Sequence, residues 1–331
     1  MRCSMSKIYD IAIIGAGPAG IATACEAVIL GVEEVVLFEK SANHSDTIRK
    51  YFKDNKPVDK DWKGIEVTLQ GNIDFDGGTK ESTLNLFDDA LEKYLIDAKF
   101  HTEVSSISKT NELFEIVTNT NETFSAKNMI VAIGKMGKPN KPDYKLPKSL
   151  SKVINFNILE CKGNEKVLVV GGGDSAVEFA YYIYNDNSVT LNYRKETLTR
   201  PNPKNINNMM QKVDEGKITL KLGVDITSVE DAEGKVKVTY DDGSVHTYDR
   251  VIYGLGGSTP KEFLKNTNIV LDEKGNPLVD HTNLNAPGVY IAGDMAGHLG
   301  GSIASALNHG HIIINDILLN HCNLDDDLCR S

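Results

Sequence analysis

No two of the five cysteines stand in a C-x-x-C pair. Cys3, Cys25, Cys161, Cys322 and Cys329 are odd in number and scattered along 331 residues. Such usage excludes a disulfide framework and fits a reducing compartment. Positive charge is also short: 36 Lys and Arg face 46 Asp and Glu, for a formal charge of −10. An acidic chain has no general surface for displacing counterions from phosphates, so no nucleic-acid partner is expected. No apolar run approaches the roughly 20 residues of a membrane helix, which argues against an integral membrane segment. Met1 to Lys7 holds no apolar signal core, and the expected location is the cytoplasm. What remains is a composition with 40% hydrophobic residues, enough for two ordinary domains that each bury a core.

The chain opens with Tyr9-Asp-Ile-Ala-Ile-Ile-Gly15, a continuous apolar run of the kind that a buried parallel strand shows. Gly15-Ala-Gly17-Pro-Ala-Gly20 follows, then a helical stretch from Ile21 to Leu30 and a second strand, Glu34 to Phe38, ending on Glu39. The polar stretch from Lys40 to Gly78 shows no periodicity. A helix is predicted over Ser82–Leu95, a strand near Glu103–Ile107, a hairpin over Leu113–Thr118 and Thr123–Ala126, and a buried strand over Met129–Ile133. Lys135 to Lys152 then holds three prolines and six lysines against Asp143, and reads as an interdomain linker. After it the opening pattern returns. Glu165–Val170 is a strand, Gly171-Gly-Gly173-Asp-Ser-Ala176 a glycine loop, Val177–Tyr184 a helix and Ser188–Tyr193 the next strand. Strands at Ile218–Leu222, Lys235–Tyr240 and Arg250–Tyr253 follow. The tail holds Val289-Tyr-Ile-Ala-Gly293-Asp294, then Gly300-Gly301 and a helix from Ser302 to Leu319. The order is half a domain, a whole domain, and the rest of the first.

The first glycine loop is G-x-G-x-x-G between a strand and a helix. Its first glycine makes the tight turn, its second lets backbone approach a pyrophosphate, and its third lets helix and strand pack closely. The helix N-terminus adds the positive end of a dipole. Glu39 ends the next strand, where a carboxylate can accept hydrogen bonds from ribose hydroxyls. The second loop, Gly171-x-Gly173-x-x-Ala176, has the same mechanics. There Arg194 and Lys195 replace the acid and Arg200 follows, and cations in that place suit a 2′-phosphate: NADP rather than NAD. Asp294, just past a buried strand, can bind the polyol hydroxyls of a ligand lying over the sheet, although an aspartate there can also be a simple N-cap.

In this order the three motifs resemble the low-molecular-weight thioredoxin reductase-like flavoproteins over nearly the whole chain. The resemblance implies an α/β fold of two Rossmann-like dinucleotide-binding domains, the NADPH domain inserted into the FAD domain. The expected division is 1–137 and 259–331 for FAD, 138–258 for NADPH, in a homodimer. It implies FAD contacts at Gly15, Gly17, Gly20, Glu39 and Asp294, with Tyr51 near the isoalloxazine and Val104 near the adenine. It implies NADPH contacts at Gly171, Gly173, Ser175, Arg194, Lys195 and Arg200. Hydride transfer to a flavin needs proximity and alignment rather than a general acid, so no catalytic side chain is expected, and His44, His298 and His309 read as structural.

Thioredoxin reductases of this size carry a C-x-x-C just before the NADPH strand, where this chain has Cys161 alone. A dithiol relay needs two thiols within reach, so thioredoxin is not the expected acceptor. Bacillithiol-disulfide reductases carry a cysteine right after the loop proline, where this chain has Ala19; Cys25 reads instead as a core thiol. Leu37–Lys50 and Ala132–Asn140 look closest to the NADPH-dependent flavodoxin:quinone reductases of epsilonproteobacteria. The implied partners are flavodoxin or a similar small electron carrier, and a quinone. Reduction of a low-molecular-weight disulfide such as bacillithiol disulfide, and a non-enzymatic flavin- or NADP-sensing module, are the alternatives. The linker lysines (Lys135, Lys138, Lys141, Lys145, Lys148, Lys152) offer a basic docking surface for an acidic carrier, with Arg49, Lys50, Lys53 and Lys56 as a second cluster. Cys322 and Cys329, around Asp325–Asp327, read as part of a frayed acidic tail.

Overall fold

The computed structural model describes residues 7–61, 65–110, 112–135, 139–257, 263–264, 267, 269–273, 275–297 and 301–328, with side chains through Asn320. Cys3, Lys138, His298, Gly300 and Cys329 lie outside the described residues, as does the side chain of Cys322. The chain forms two compact units, Met1–Gly137 with Thr259–Ser331, and Lys138–Ser258.

Elements run in chain order as follows. The first part of the split unit holds β1 (Ile8–Ile14), α1 (Pro18–Ile29), β2 (Val35–Phe38), α2 (Asp46–Tyr51), β3 (Pro57–Val58), β4 (Gly78–Thr79), α3 (Lys80–Lys93), β5 (Ala98–Lys99), β6 (Val104–Thr110), β7 (Leu113–Thr118) and β8 (Thr123–Val131). The inserted unit holds β9 (Ile154–Asn155), β10 (Lys166–Val170), α4 (Asp174–Ile183), β11 (Ser188–Tyr193), α5 (Pro203–Asp214), β12 (Ile218–Leu222), β13 (Ile226–Ala232), β14 (Lys235–Tyr240), β15 (Val245–Tyr248) and β16 (Arg250–Tyr253). The split unit closes with β17 (Leu284–Ala286), β18 (Val289–Ile291) and α6 (Ile303–Leu328).

In the split unit, β18, β8, β1, β2 and β5 form a parallel array, extended by antiparallel β17 at one edge and by the β6–β7 hairpin on β8. Alternation of two along β1 divides its side chains between two cores. Ile11 and Ile13 pack with Leu37, Ile130 and the helices α1, α3 and α6. Ala12 and Ile14 pack with Val36, Phe38, Met129 and the hairpin residues Phe114 and Ile116. With both faces covered, the strand reads as an unbroken apolar run. The inserted unit repeats the scheme: β12, β11, β10, β16 and β9 form a parallel sheet. One face is covered by α4 and α5, the other packs on the antiparallel β13–β14–β15 sheet. The fold class is the expected one, two Rossmann-like α/β units. No helix among the described residues is long and apolar enough to cross a membrane.

The structure corrects several local expectations. The stretch from Lys40 to Gly78 is not wholly irregular: it holds α2 and β3. Thr123–Ala126 and Met129–Ile133 do not form two strands but one, β8, because Lys127 and Asn128 are satisfied in place, Lys127 Nζ by Asp10 at 2.7 Å and Asn128 Nδ2 by the Asp10 carbonyl at 3.2 Å. Much of Lys135–Lys152 is also more than a solvated linker. Leu150 is buried, Tyr144 and Leu146 pack against the core of the inserted unit, and Tyr144 shares a 3.0 Å hydroxyl–hydroxyl bond with Tyr253. Lys141, Lys145, Lys148 and Lys152 remain exposed on this packed segment. The second basic cluster is locally engaged: Lys50 pairs with Asp46 at 2.8 Å, Arg49 with Asp88 at 3.4 Å, and Lys56 lies 4.0 Å over the Phe52 ring. The helix expected to stop at Leu319 continues to Leu328, taking Asp325–Asp327 with it.

Candidate functional site

Strand register assembles the first site. Phe38, Ile14, Val131 and Ile291 align across β2, β1, β8 and β18, so the residues that follow each strand meet at one edge of the sheet. Ligands of such sheets bind outside these carboxyl ends. Gly15 has φ +103°, and a Cβ there would meet the Ala132 carbonyl oxygen at 2.7 Å. A Cβ at Gly20 would lie 1.9 Å from the Gly15 carbonyl oxygen, which is why α1 can start so close to β1. Gly17 differs. Its Cβ would come no nearer to the protein than 3.9 Å, so packing does not demand glycine there, and no side chain caps α1. The open face of the loop and the uncapped helix start form a cradle for an anion.

Glu39 is buried, and its two oxygens accept the Ala16 N–H at 2.9 Å and the Ser41 N–H at 2.8 Å. Each oxygen keeps a lone pair for a further donor. The Ser45 N–H, in a left-handed conformation at φ 53°, donates to the Ala16 carbonyl at 2.8 Å and braces the loop from its other side. Thr102 N–H donates to the Glu39 carbonyl at 2.9 Å, bringing Val104, buried at the start of β6, into the same neighbourhood. Tyr51 is half-buried at the end of α2. Asp294 lies in a short 3-10 turn, where a Cβ at Gly293 would lie 3.2 Å from the Ala19 Cβ. Burial raises the Asp294 carboxyl above its ordinary value, with Lys135 opposing. It has no hydrogen-bond partner among the described residues. The Gly293 N–H donates to Nδ1 of buried His309 at 2.9 Å, which fixes the turn. Sequence reasoning assigned no role to Ser41 or Ser45 at this site, since each acts through its backbone N–H; His309, read as structural, acts through its imidazole.

The second site repeats the arrangement in the inserted unit. Gly171, at φ +147°, abuts the Gly254 carbonyl, and Ala176 at the third position is matched by Gly254, whose Cβ would meet the Ala176 Cα at 2.8 Å. Gly173 is the N-cap of α4, without a side-chain cap, and nothing lies within 4 Å of where its Cβ would be. Ser175 is half-buried in the first turn of α4. Arg194, Lys195 and Arg200 are exposed on the loop after β11, and neither Arg194 nor Lys195 forms an ion pair among the described residues. Arg194 and Lys195, unneutralised among the described residues, suit a phosphate.

Neither described cysteine is positioned for chemistry. Cys25 is fully buried in α1, its thiol pushed up to about 12 by burial and then by Glu26. Cys161 is half-buried 3.5 Å from Glu165, and burial and that carboxylate push it up to about 11. No cluster of metal-ligating side chains occurs among the described residues.

One βαβ unit ending in a carboxylate and a second ending in cations define a two-domain dinucleotide-binding oxidoreductase. The chain belongs to the pyridine nucleotide-disulphide oxidoreductase family, whose pattern matches residues 12–293. It is similar to the ferredoxin–NADP reductase of Leuconostoc mesenteroides, 23% identical over 92% of this chain and 90% of that one. The corresponding enzyme of Ignicoccus hospitalis is 24% identical over 86% and 90%. Among solved structures, the thioredoxin reductase of T. acidophilum superposes with a TM-score of 0.78 at 24% identity, covering 96% of this chain and 100% of that one. The bacillithiol disulfide reductase of Staphylococcus aureus gives 0.78 at 22% identity, over 95% and 99%. The protein is a thioredoxin reductase-like, NADPH-dependent flavoprotein oxidoreductase, and its cofactors are FAD and NADPH.

Proposed function

We propose that electrons from NADPH leave this enzyme directly from the flavin to a small electron-carrier protein, flavodoxin or a ferredoxin, or to a quinone. The observation that carries this reading is the state of the thiols: Cys25 and Cys161 lie in separate units, burial disfavours the thiolate of both, and neither has a partner thiol among the described residues. The names of the two ferredoxin–NADP reductases, matched over most of their length, support a carrier protein as acceptor.

FAD belongs, on this reading, to the split unit and NADPH to the inserted one. When bound, FAD takes two electrons from NADPH and passes them on. The residues present fit both groups. Gly17 and the uncapped start of α1 cradle the FAD pyrophosphate, with Gly15 and Gly20 setting the turn. Glu39 uses its remaining lone pairs for ribose hydroxyls, with Val104 beside the adenine and Tyr51 toward the isoalloxazine. Asp294, desolvated and without a hydrogen-bond partner among the described residues, accepts from ribitol hydroxyls, which offsets the unfavourable burial of its charge. Gly171, Gly173 and Ser175 receive the NADPH pyrophosphate, and Arg194, Lys195 and Arg200 its 2′-phosphate.

Stopped-flow reoxidation of the NADPH-reduced enzyme tests the acceptor. Flavodoxin, ferredoxin or a quinone should restore the oxidised flavin spectrum within the turnover time, and bacillithiol disulfide should not. Fast reoxidation by the disulfide alone would move the assignment to a disulfide reductase.

A further inference from the structure

A carboxylate, Asp174, joins the glycine loop of the inserted unit to the end of its cationic loop. Asp174 is the first residue of α4, directly after the N-cap Gly173. A carboxylate in a first turn can act on its own helix, yet no side-chain cap forms on α4. Asp174 Oδ1 instead accepts the Asn202 backbone N–H at 2.5 Å and an Asn205 Nδ2–H at 3.1 Å. Asn202 is itself the N-cap of α5, accepting the Lys204 N–H at 3.0 Å, and Asn205 also donates to Glu178 at 3.1 Å. The start of α5 is thereby fastened to the start of α4.

Between β11 and α5 runs the loop that carries Arg194, Lys195 and Arg200, with neither helix nor strand in it. The Gly223 N–H holds its beginning, donating to the Tyr193 and Lys195 carbonyls at 3.0 Å each. Leu198 is partly buried against the core of the unit. The Asp174–Asn202 bond holds the far end, two residues beyond Arg200. A loop fixed only at its start would have to be ordered by the coenzyme, and that ordering subtracts from affinity.

The placement of Asp174 has an opposite effect as well. A carboxylate beside the glycine that approaches the pyrophosphate repels it, and this penalty falls on NADPH and NADH alike. The benefit of an ordered cation loop falls only on the coenzyme with a 2′-phosphate.

We propose that Asp174 is a positioning residue for coenzyme choice: its hydrogen bonds preorganise the Arg194–Arg200 loop, so that NADPH gains and NADH does not. This rests on the assignment of those cations to the 2′-phosphate. The test is steady-state kinetics of the FAD-loaded enzyme with both coenzymes. Asp174→Ala removes the acceptor and should lower the ratio of kcat/KM for NADPH to that for NADH about tenfold, the effect of losing a hydrogen bond to a charged group, through KM with kcat retained. Asp174→Asn keeps an acceptor oxygen and should restore most of the ratio, while lowering KM for both coenzymes together. Asn202→Pro deletes the donor from the other side at a φ of −58° that proline adopts, and with it the Asn202 cap on α5, so it should lower the ratio at least as far as Asp174→Ala and serves if that variant does not fold. An unchanged ratio, or equal losses with both coenzymes, overturns the proposal. Replacing both Arg194 and Lys195 with Gln separates the two failures. If that variant keeps the ratio, the 2′-phosphate assignment is wrong; if it lowers the ratio while Asp174→Ala does not, only the role of Asp174 falls.

Discussion

Glu39 Oε2 accepts the Ala16 backbone N–H at 2.9 Å, so the acid that ends β2 is tied into the glycine loop that ends β1. Its other oxygen does the same for Ser41 at 2.8 Å. The carboxylate thus shapes the glycine loop proposed to hold the cofactor, and removing it leaves a buried N–H in the loop unpaired. Glu39→Ala should weaken FAD binding by at least about tenfold, since a hydrogen bond to a charged group contributes about 1.5–3 kcal/mol. Glu39→Gln, which retains one acceptor oxygen, should fall between. Titration of the apoprotein with FAD, followed by flavin fluorescence, measures this; equal affinities for wild type and Glu39→Ala would remove Glu39 from the site.

A neighbouring group makes the same loop sensitive to acid. His44 is buried, with Nε2 2.9 Å from Asp88 Oδ1, Nδ1 3.0 Å from Ser45 Oγ, and its ring edge-on to Phe87. Arg49 Nη2 lies 2.7 Å from the same Nε2, and Arg49 Nε donates to the His44 carbonyl. Burial holds the imidazole below its ordinary value of 6.5; Arg49 adds to the shift, and Asp88 and Glu39 oppose it. The unfolded chain therefore takes up a proton near pH 6.5 that the folded protein accepts only at lower pH. In that window the unfolded state binds more protons, so the His44 contribution is complete above pH 6.5 and is lost as pH falls toward the folded value. Thermal melts of wild type and His44→Gln from pH 8 to pH 5 should converge as acidity rises. A gap between the two that stays constant over that range would show His44 to be uninvolved.

Both βαβ units were legible because burial on two faces writes an unbroken apolar strand and the glycine loops follow directly. Residues 18–20, the first turn of α1, were missed as helix because they are Pro-Ala-Gly, yet proline is at home in a first turn and Gly20 is required by the 1.9 Å approach to Gly15. The six-residue α2 is too short to show a period, and its N-cap Ser45 is left-handed with no side-chain cap bond. The packing of Tyr144, Leu146 and Leu150 was hidden among lysines and prolines, with no regular spacing to mark it. Asp174, His44 and His309 act through partners 28, 44 and 16 positions away. Pairings at such distances leave no trace in a single sequence.

The contact between α1 and α6 yields a test of the split unit's core. A Cβ at Gly310 would lie 2.7 Å from both the Ala22 carbonyl carbon and the Thr23 nitrogen, atoms of the α1 backbone that have no side-chain freedom to yield. Gly310→Ala should therefore destabilise the protein by about 1–3 kcal/mol through overpacking, despite alanine's better helix propensity. Urea unfolding measures it, and a stabilised variant would show that the two helices can separate at little cost.

The last prediction concerns the thiols. Cys25 donates weakly to the Ala90 carbonyl at 3.9 Å, and Cys161 sits 3.5 Å from Glu165, which Arg250 holds in a bidentate pair at 2.7 and 2.9 Å. That pair keeps the Glu165 carboxyl below its usual range, so the charge facing the Cys161 sulfur persists at neutral pH. With thiol pKa values of about 12 and about 11, the thiolate fraction at pH 7 is negligible for both, and the thiolate is the nucleophile. A Cys25→Ala, Cys161→Ser variant should retain NADPH-dependent carrier or quinone reduction within about twofold of wild type, a margin that allows for small packing losses in α1. Extending the replacement to Cys3, Cys322 and Cys329 should change nothing more. Turnover by stopped flow, normalised to bound FAD, is the measurement. If Cys161→Ser alone abolishes turnover while FAD stays bound, electrons pass through sulfur after all, and direct exit from the flavin is wrong.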